Sequence, residues 1–152
     1  MKRKVYVAIA LVILGAAIIF PSKLPKGKPE FTFSVFSIAD GVTVGGGDFW
    51  LQTWQASDGT IIRESKNGYF SEEDAHRALE GKLKDAVTIL ERKKPLDDLP
   101  NVDERIVANY VDPSSTERTV SIIQLQKKDV YRVDAPSLEH ALAFEEYRRR
   151  ER

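Results

Sequence analysis

The chain has 152 residues, of which 42% are hydrophobic and 30% charged, and its formal net charge is +0. This length is that of one ordinary domain plus an appendage, and the composition is typical of a globular protein. The absence of cysteine excludes disulfides, thiol catalysis, cysteine-ligated zinc and a lipidated N-terminal cysteine.

The zero net charge conceals an asymmetry along the chain. All 23 acidic residues lie at Glu30 or later, whereas six of the 23 basic residues precede it. The body of the protein therefore carries 17 basic and 23 acidic side chains, a net charge of −6. Because nucleic-acid binding needs a concentrated basic surface, we expect no nucleic acid among the partners.

An apolar segment follows the basic head formed by residues 1–4. Sixteen residues from Val5 to Phe20 contain no charge. As a helix they would cover roughly 24 Å of a hydrocarbon core of about 30 Å, and flanking lysines and Ser22 can extend the span. We therefore predict a single-pass transmembrane anchor over residues 5–22 that contacts membrane lipid. The candidate anchor residues are Val5, Leu11, Ile13, Leu14, Ile18 and Phe20.

A cleaved secretory signal is the alternative interpretation, since Gly15 and Ala17 supply the small residues of a cleavage site. The apolar sequence continues through Ile18–Phe20, which favours an uncleaved anchor. The basic head predicts a cytoplasmic N-terminus and an extracytoplasmic domain, although the lysines after the span nearly balance it. Residues 23–29 are rich in proline and lysine and are typical of a stiff spacer, which leaves 30–152 as the folded domain.

The first part of the domain shows strand patterns. Phe31–Ile38 and Phe49–Gln55 alternate in the manner of half-buried strands. Asp58-Gly59 is a hairpin turn signal that returns the chain through a third strand, Thr60–Glu64.

A helix is predicted to start at Ser71 and to end before Pro95. Ser71 suits an N-cap, and the acidic residues after it complement the positive end of the helix dipole. Apolar residues then recur at helical spacing; they are Ala75, Ala78, Leu79, Leu83, Ala86, Val87 and Leu90.

Three further strands and a second helix complete the domain. The strands are Arg105–Val111, Arg118–Gln126 and Val130–Val133, and the final helix begins after Ser137. Short connections favour antiparallel pairing. The sequence thus predicts an N-terminal transmembrane helix followed by a small α+β domain of order βββ-α-βββ-α, with a largely antiparallel sheet and the helices packed on one sheet face.

Two surfaces are candidates for ligand or partner binding. Gly45, Gly46 and Gly47, with Asp48, could bring backbone amides close to a ligand, although a P-loop or dinucleotide spacing is absent and a mobile loop is the simpler interpretation. Trp50 and Trp54 share a strand face and could form an aromatic strip, with core packing as the alternative.

Catalytic, cofactor and metal residues are not predicted. His76 and His140 have no histidine or cysteine at ligand spacing and are interpreted as helix-surface residues. The acidic loop 95–104 offers oxygen ligands without the spacing of an EF-hand. The basic tail Arg148–Arg152 could contact anionic lipid, but pairing with Glu145 and Glu146 at i,i+4 is the favoured interpretation.

Three functional hypotheses follow. The first is a non-catalytic interaction or accessory domain presented at a membrane surface, with a membrane or envelope protein as partner. The second is a membrane-anchored module that binds a small ligand or a divalent cation. The third, an enzyme of unknown class, requires a carboxylate and a histidine that converge in one cleft.

Overall fold

A computed structural model describes residues 31–42, 47–94, 99–112 and 115–151. These residues form seven strands and two helices. The strands are β1 (Phe33–Val42), β2 (Asp48–Ala56), β3 (Ile61–Gly68), β4 (Thr88–Lys93), β5 (Glu104–Val111), β6 (Arg118–Gln126) and β7 (Asp129–Ala135). The helices are α1 (Glu72–Lys84) and α2 (Leu138–Glu151).

All seven strands belong to one antiparallel sheet of order β1-β2-β3-β7-β6-β5-β4. The predicted α+β class and antiparallel sheet are thereby confirmed. The edge strands β1 and β4 each carry a register shift, between Val35 and Ser37 and between Ile89 and Glu91. Such bulges twist an edge away from pairing with another chain.

Helix α1 begins where its capping residue predicts. The side chain of Ser71 accepts a hydrogen bond from the backbone N–H of Asp74 at 3.1 Å. Ala75, Leu79 and Leu83 are buried and pack on one face of the sheet. The strand residues of this first core are Ile106, Ala108, Tyr110, Ile123, Leu125 and Val130.

The predicted length of this helix was wrong, because α1 ends at Lys84 and an unpredicted strand, β4, occupies Thr88–Lys93. The element order is therefore βββ-α-ββββ-α rather than βββ-α-βββ-α. Val87 and Leu90, which continue the helical spacing, are 64% and 48% exposed. Pairing with β5 satisfies the backbone N–H and C=O groups of this segment, as a longer helix would also do. Only the pairing with β5 also places Arg92 beside buried Glu104.

The predicted packing of both helices on one sheet face was also wrong. Neighbouring residues of a strand point to opposite faces. Ile122 belongs to the core under α2, whereas the next residue, Ile123, belongs to the core under α1. The central strands are therefore covered on both faces, with one helix on each. The core under α2 contains Trp54, Ile62, Val107, Val120, Ile122, Ala135, Ala141 and Phe144.

The predicted anchor over 5–22 and the spacer over 23–29 lie outside the described residues. Within the described ranges, neither helix is long and apolar enough to span a bilayer.

Candidate ligand-binding cleft

A cleft of about 350 Å³ lies between the C-terminal half of α2, the sheet face beneath it and a loop that precedes β5. Its volume is at the lower end of the range for small-ligand sites. The residues around it are Glu64, Leu99, Pro100, Asn101, Val102, Ile122, Gln124, Gln126, Tyr131, Arg132, Val133, Glu145, Arg148 and Arg149.

Strand register brings the floor of the cleft together. Val133 of β7 is paired with both Glu64 of β3 and Ile122 of β6, so these three side chains lie side by side on one face. Tyr131 and its partner Gln124 follow two positions along on the same face. The wall opposite is α2, on which residues 145, 148 and 149 share one helix face.

The first ion pair of the cleft joins the sheet to α2. Arg148 donates from Nε to Oε1 of Glu64 at 2.9 Å, and Trp54 donates from its indole N–H to Oε2 at 3.2 Å. The Arg148 guanidinium also lies over the Trp54 ring, 5.2 Å from its centroid. The Glu64 side chain is only 4% exposed, so this carboxylate depends on Arg148 for its counter-charge.

A second ion pair joins α2 to β5. Arg105 donates from Nε and Nη2 to the two oxygens of Glu145 at 2.8 and 2.7 Å, and it also contacts Glu91. These bonds, led by the one to Glu145, outweigh burial and raise the pKa of Arg105. The amide of Gln124 donates to Glu145 at 2.8 Å, and Gln126 donates to Gln124 at 3.3 Å. The cleft therefore contains a connected row of planar polar groups.

Aromatic side chains continue the cleft along the sheet. The rings of Tyr131 and Trp50 meet edge to face with centroids 6.4 Å apart. Lys66 lies over Tyr131 at 5.8 Å and forms an ion pair with Asp129 at 3.1 Å. Burial lowers the pKa of Lys66, but the hydrogen bond to Asp129 and neighbouring negative charge outweigh it, so the net shift is upward.

Among the residues predicted from sequence as a ligand or partner surface, Gly47, Asp48, Trp50 and Trp54 do not line this cleft. Gly45 and Gly46 lie outside the described residues. At Gly47 a Cβ atom would come within 2.0 Å of the carbonyl oxygen of Gly68, so close packing of two backbones explains the glycine. Asp48 is exposed at the start of β2.

The two tryptophans have different environments. Trp54 is 6% exposed and belongs to the core under α2, in agreement with core packing rather than an exposed aromatic strip. Trp50 is half-buried and reaches the cleft only through its contact with Tyr131. Sequence reasoning missed Gln124, Gln126 and Tyr131, because their convergence with α2 depends on strand order.

His140 is not the exposed helix-surface residue expected from its position. Its Nδ1 lies 2.7 Å from the Ser137 hydroxyl, its Nε2 lies 2.7 Å from Asp58, and its side chain is 15% exposed. The hydrogen bond to His140 is the main reason that the pKa of Asp58 falls to about 2. His76, in contrast, is exposed on α1 as expected.

Ser137, His140 and Asp58 are linked in the serine–histidine–aspartate order of a catalytic triad. Their other contacts, however, are those of a structural link between two elements. The Ser137 hydroxyl accepts a bond from the backbone N–H of His140 at 3.3 Å, as a helix cap does. Phe31 stacks on the imidazole with centroids 4.5 Å apart. The group fastens the start of α2 to the β2–β3 turn at the point where the chain enters the domain.

The acidic loop holds ion pairs in its described part. Arg92 donates to Oε1 of buried Glu104, and Lys94 Nζ lies 2.7 Å from Oε2 as an ion pair without hydrogen-bond geometry. Asp103 accepts a bond from the backbone of Lys127, whereas Asp97 and Asp98 lie outside the described residues. Among the described residues, no three histidine or acidic side chains are grouped to hold a metal ion.

The basic tail is partly paired as expected. Arg150 binds Glu146 at 2.5 Å, as the i,i+4 spacing predicts. Glu145, the residue at i,i+4 spacing from Arg149, binds Arg105, and Arg149 lies at the cleft.

Comparisons with known protein families, with curated proteins and with solved structures gave no match for this chain.

Proposed function

We propose that the chain is a single-pass, membrane-anchored protein that presents a small non-catalytic binding domain at the membrane surface, with the cleft beside α2 as its recognition site. The anchor is the uncharged segment from Val5 to Phe20, and a membrane or envelope component is the expected partner. The observation that carries the proposal is a cleft of about 350 Å³ with an apolar floor and a row of fixed polar groups.

The ion pairs of the cleft support a binding role over catalysis. Glu64 accepts bonds from Arg148 and Trp54, and Glu145 accepts bonds from Arg105 and Gln124. A general acid or base must exchange a proton with its substrate, and a carboxylate already bonded to an arginine is poorly placed to do so. The two pairs instead hold the wall of the cleft rigidly over its floor, which favours binding.

A small-ligand module is the second candidate, and the volume of the cleft favours it. No observation on the described residues favours the divalent-cation version, since Glu104 and Asp103 of the acidic loop are engaged by basic side chains and backbone.

Capture of ligand by the full-length tagged chain from detergent-solubilised membranes tests the proposal, with the captured material analysed for both protein and carbohydrate. The Gln126→Arg variant fills the cleft, and Gln55→Arg, on an exposed position of β2, is the matched control. We expect capture by the wild type and by the Gln55 variant and its loss in the Gln126 variant. Equal capture by all three proteins would show that the cleft is not the recognition site.

Protease accessibility of a C-terminal tag in intact and lysed spheroplasts tests the orientation. Digestion in intact spheroplasts is expected if the domain is extracytoplasmic. Protection until lysis would place the domain in the cytoplasm and contradict that part of the proposal.

A further inference from the structure

We infer that the cleft beside α2 takes an uncharged saccharide of one or two rings. This inference rests on the proposed function and adds the chemical class of the ligand. Three features of the cleft lead to it, namely its paired carboxylates, its planar hydrogen-bonding groups and its apolar and aromatic floor.

The two carboxylates that line the cleft are neutralised before any ligand enters. Arg148 neutralises Glu64 at 2.9 Å, and Arg105 neutralises Glu145 through two bonds. Arg132 is paired with Asp134 at 2.7 Å, and Arg149 is solvent-exposed, where its charge is screened. A ligand anion would compete with these carboxylates for the guanidinium groups, and a ligand cation would compete with the arginines. Because breaking a buried pair leaves an uncompensated charge, an uncharged ligand is favoured.

The polar groups of the cleft suit a ligand rich in hydroxyls, because a hydroxyl both donates and accepts hydrogen bonds. Gln126 donates to Gln124, and Gln124 donates to Glu145, so the orientation of both amides is fixed. Each of these bonds uses one N–H of an amide that offers two donors and a carbonyl oxygen. Asn101, exposed on the loop that borders the cleft, adds a third amide. Donors and acceptors held in fixed planes can pair with neighbouring hydroxyls of a sugar ring.

The floor supplies the apolar contact that the C–H face of a sugar ring requires. Ile122 and Val133 lie at its base, and Tyr131 continues it towards Trp50. Aromatic rings with a polar edge combine a large apolar contact area with hydrogen bonding.

A peptide ligand fits the geometry less well. Strand addition needs a free sheet edge, but β6 and β7, which form the floor, are each paired on both sides. Recognition of an acidic or phosphorylated peptide uses a cluster of available arginines. Arg105, Arg132 and Arg148 are instead held by Glu145, Asp134 and Glu64.

The test is binding of neutral disaccharides to the full-length chain in detergent, measured by saturation-transfer NMR. The probes are maltose, cellobiose, lactose and diacetylchitobiose, with glucuronic acid and a neutral alanine pentapeptide as comparators. Gln126→Leu removes an amide from the cleft at similar volume, and Gln55→Leu is the matched control. Asn101→Ala is a second cleft variant, on an exposed loop position where the fold is not at risk.

We expect at least one disaccharide to bind, with a Kd about tenfold weaker in each cleft variant and unchanged in the control. Absence of binding by every neutral disaccharide would overturn the inference, as would binding that ignores both cleft substitutions or stronger binding of the peptide. If these probes fail while capture from membranes still depends on Gln126, the saccharide assignment is wrong and the proposed function stands. If both fail, the cleft is not a recognition site.

Discussion

Removal of the buried cation that joins α2 to the sheet should be among the most destabilising single substitutions. In Arg105→Met, the carboxylate of Glu145 loses both of its bonds to the guanidinium, at 2.8 and 2.7 Å, and remains in a site where both side chains are only 10% exposed. Loss of one partner of a buried pair costs about 3–5 kcal/mol. That is a large share of the roughly 5–15 kcal/mol that stabilises an ordinary domain.

The assay is urea unfolding of the full chain in detergent, followed by tryptophan fluorescence, to which Trp54 in the core under α2 contributes. Arg77→Met is the matched control, because Arg77 is 70% exposed and pairs with Glu73 and Asp74 on its own helix, α1. An exposed pair of this kind contributes about 0–1 kcal/mol. If the two arginine variants lose the same free energy of unfolding, the reasoning about the buried pair is refuted.

A double substitution separates the ion pair from general damage to the core. In Arg105→Met with Glu145→Met, no buried charge of the pair is left uncompensated, so we expect recovery of most of the stability lost in Arg105→Met alone. A double variant less stable than the single one would show that the arginine stem, rather than its charge, matters.

Three further predictions concern the fold. Gly47→Ala should destabilise the domain by more than about 1 kcal/mol, because the new Cβ lies 2.0 Å from the Gly68 carbonyl oxygen. Gly41→Ala, whose new Cβ meets no atom within 4 Å, should not show this loss. Thermal unfolding of the two variants measures the difference. Ser71→Ala should cost about 1 kcal/mol through the lost α1 cap, as measured by urea unfolding, and an unchanged midpoint would contradict the cap. The pKa of Asp58 is about 2 in the folded state and 3.8 ordinarily, so its stabilising effect is present above pH 3.8 and is lost as the pH falls towards 2. The difference in Tm between the wild type and Asp58→Asn should therefore shrink over that interval, and a difference independent of pH would contradict the assignment.

Local signals predicted the elements that local interactions determine. Ser71 places the start of α1, Asp58-Gly59 places the β2–β3 turn, and the alternation before and after it gives the strands. The end of α1 could not be predicted, because Val87 and Leu90 fit helical spacing and only the partner strand β5 turns that segment into β4. Tertiary pairing thus overrides a local preference.

The sequence contains a signal for the arrangement of the helices, but the alternating patterns of the other strands obscure it. Val120–Ile123 and Ile106–Ala108 are continuous apolar or small runs, which are typical of strands covered on both faces. Read in that way, they predict one helix on each side of the sheet. The cleft itself combines residues from β3, β6, β7 and α2, and no single-sequence pattern specifies which strands are neighbours.

Labelling of a single introduced thiol tests the central claim most directly, because the chain has no cysteine of its own. Full-length Gln126→Cys reports on the cleft, and Gln55→Cys reports on an exposed position away from it. The rates of reaction with a maleimide are compared in native membranes and in purified protein. We predict slower labelling in native membranes at position 126 only, since a bound ligand of any class protects the cleft. Equal rates in membranes and in purified protein at position 126 would contradict the account of the cleft as the recognition site.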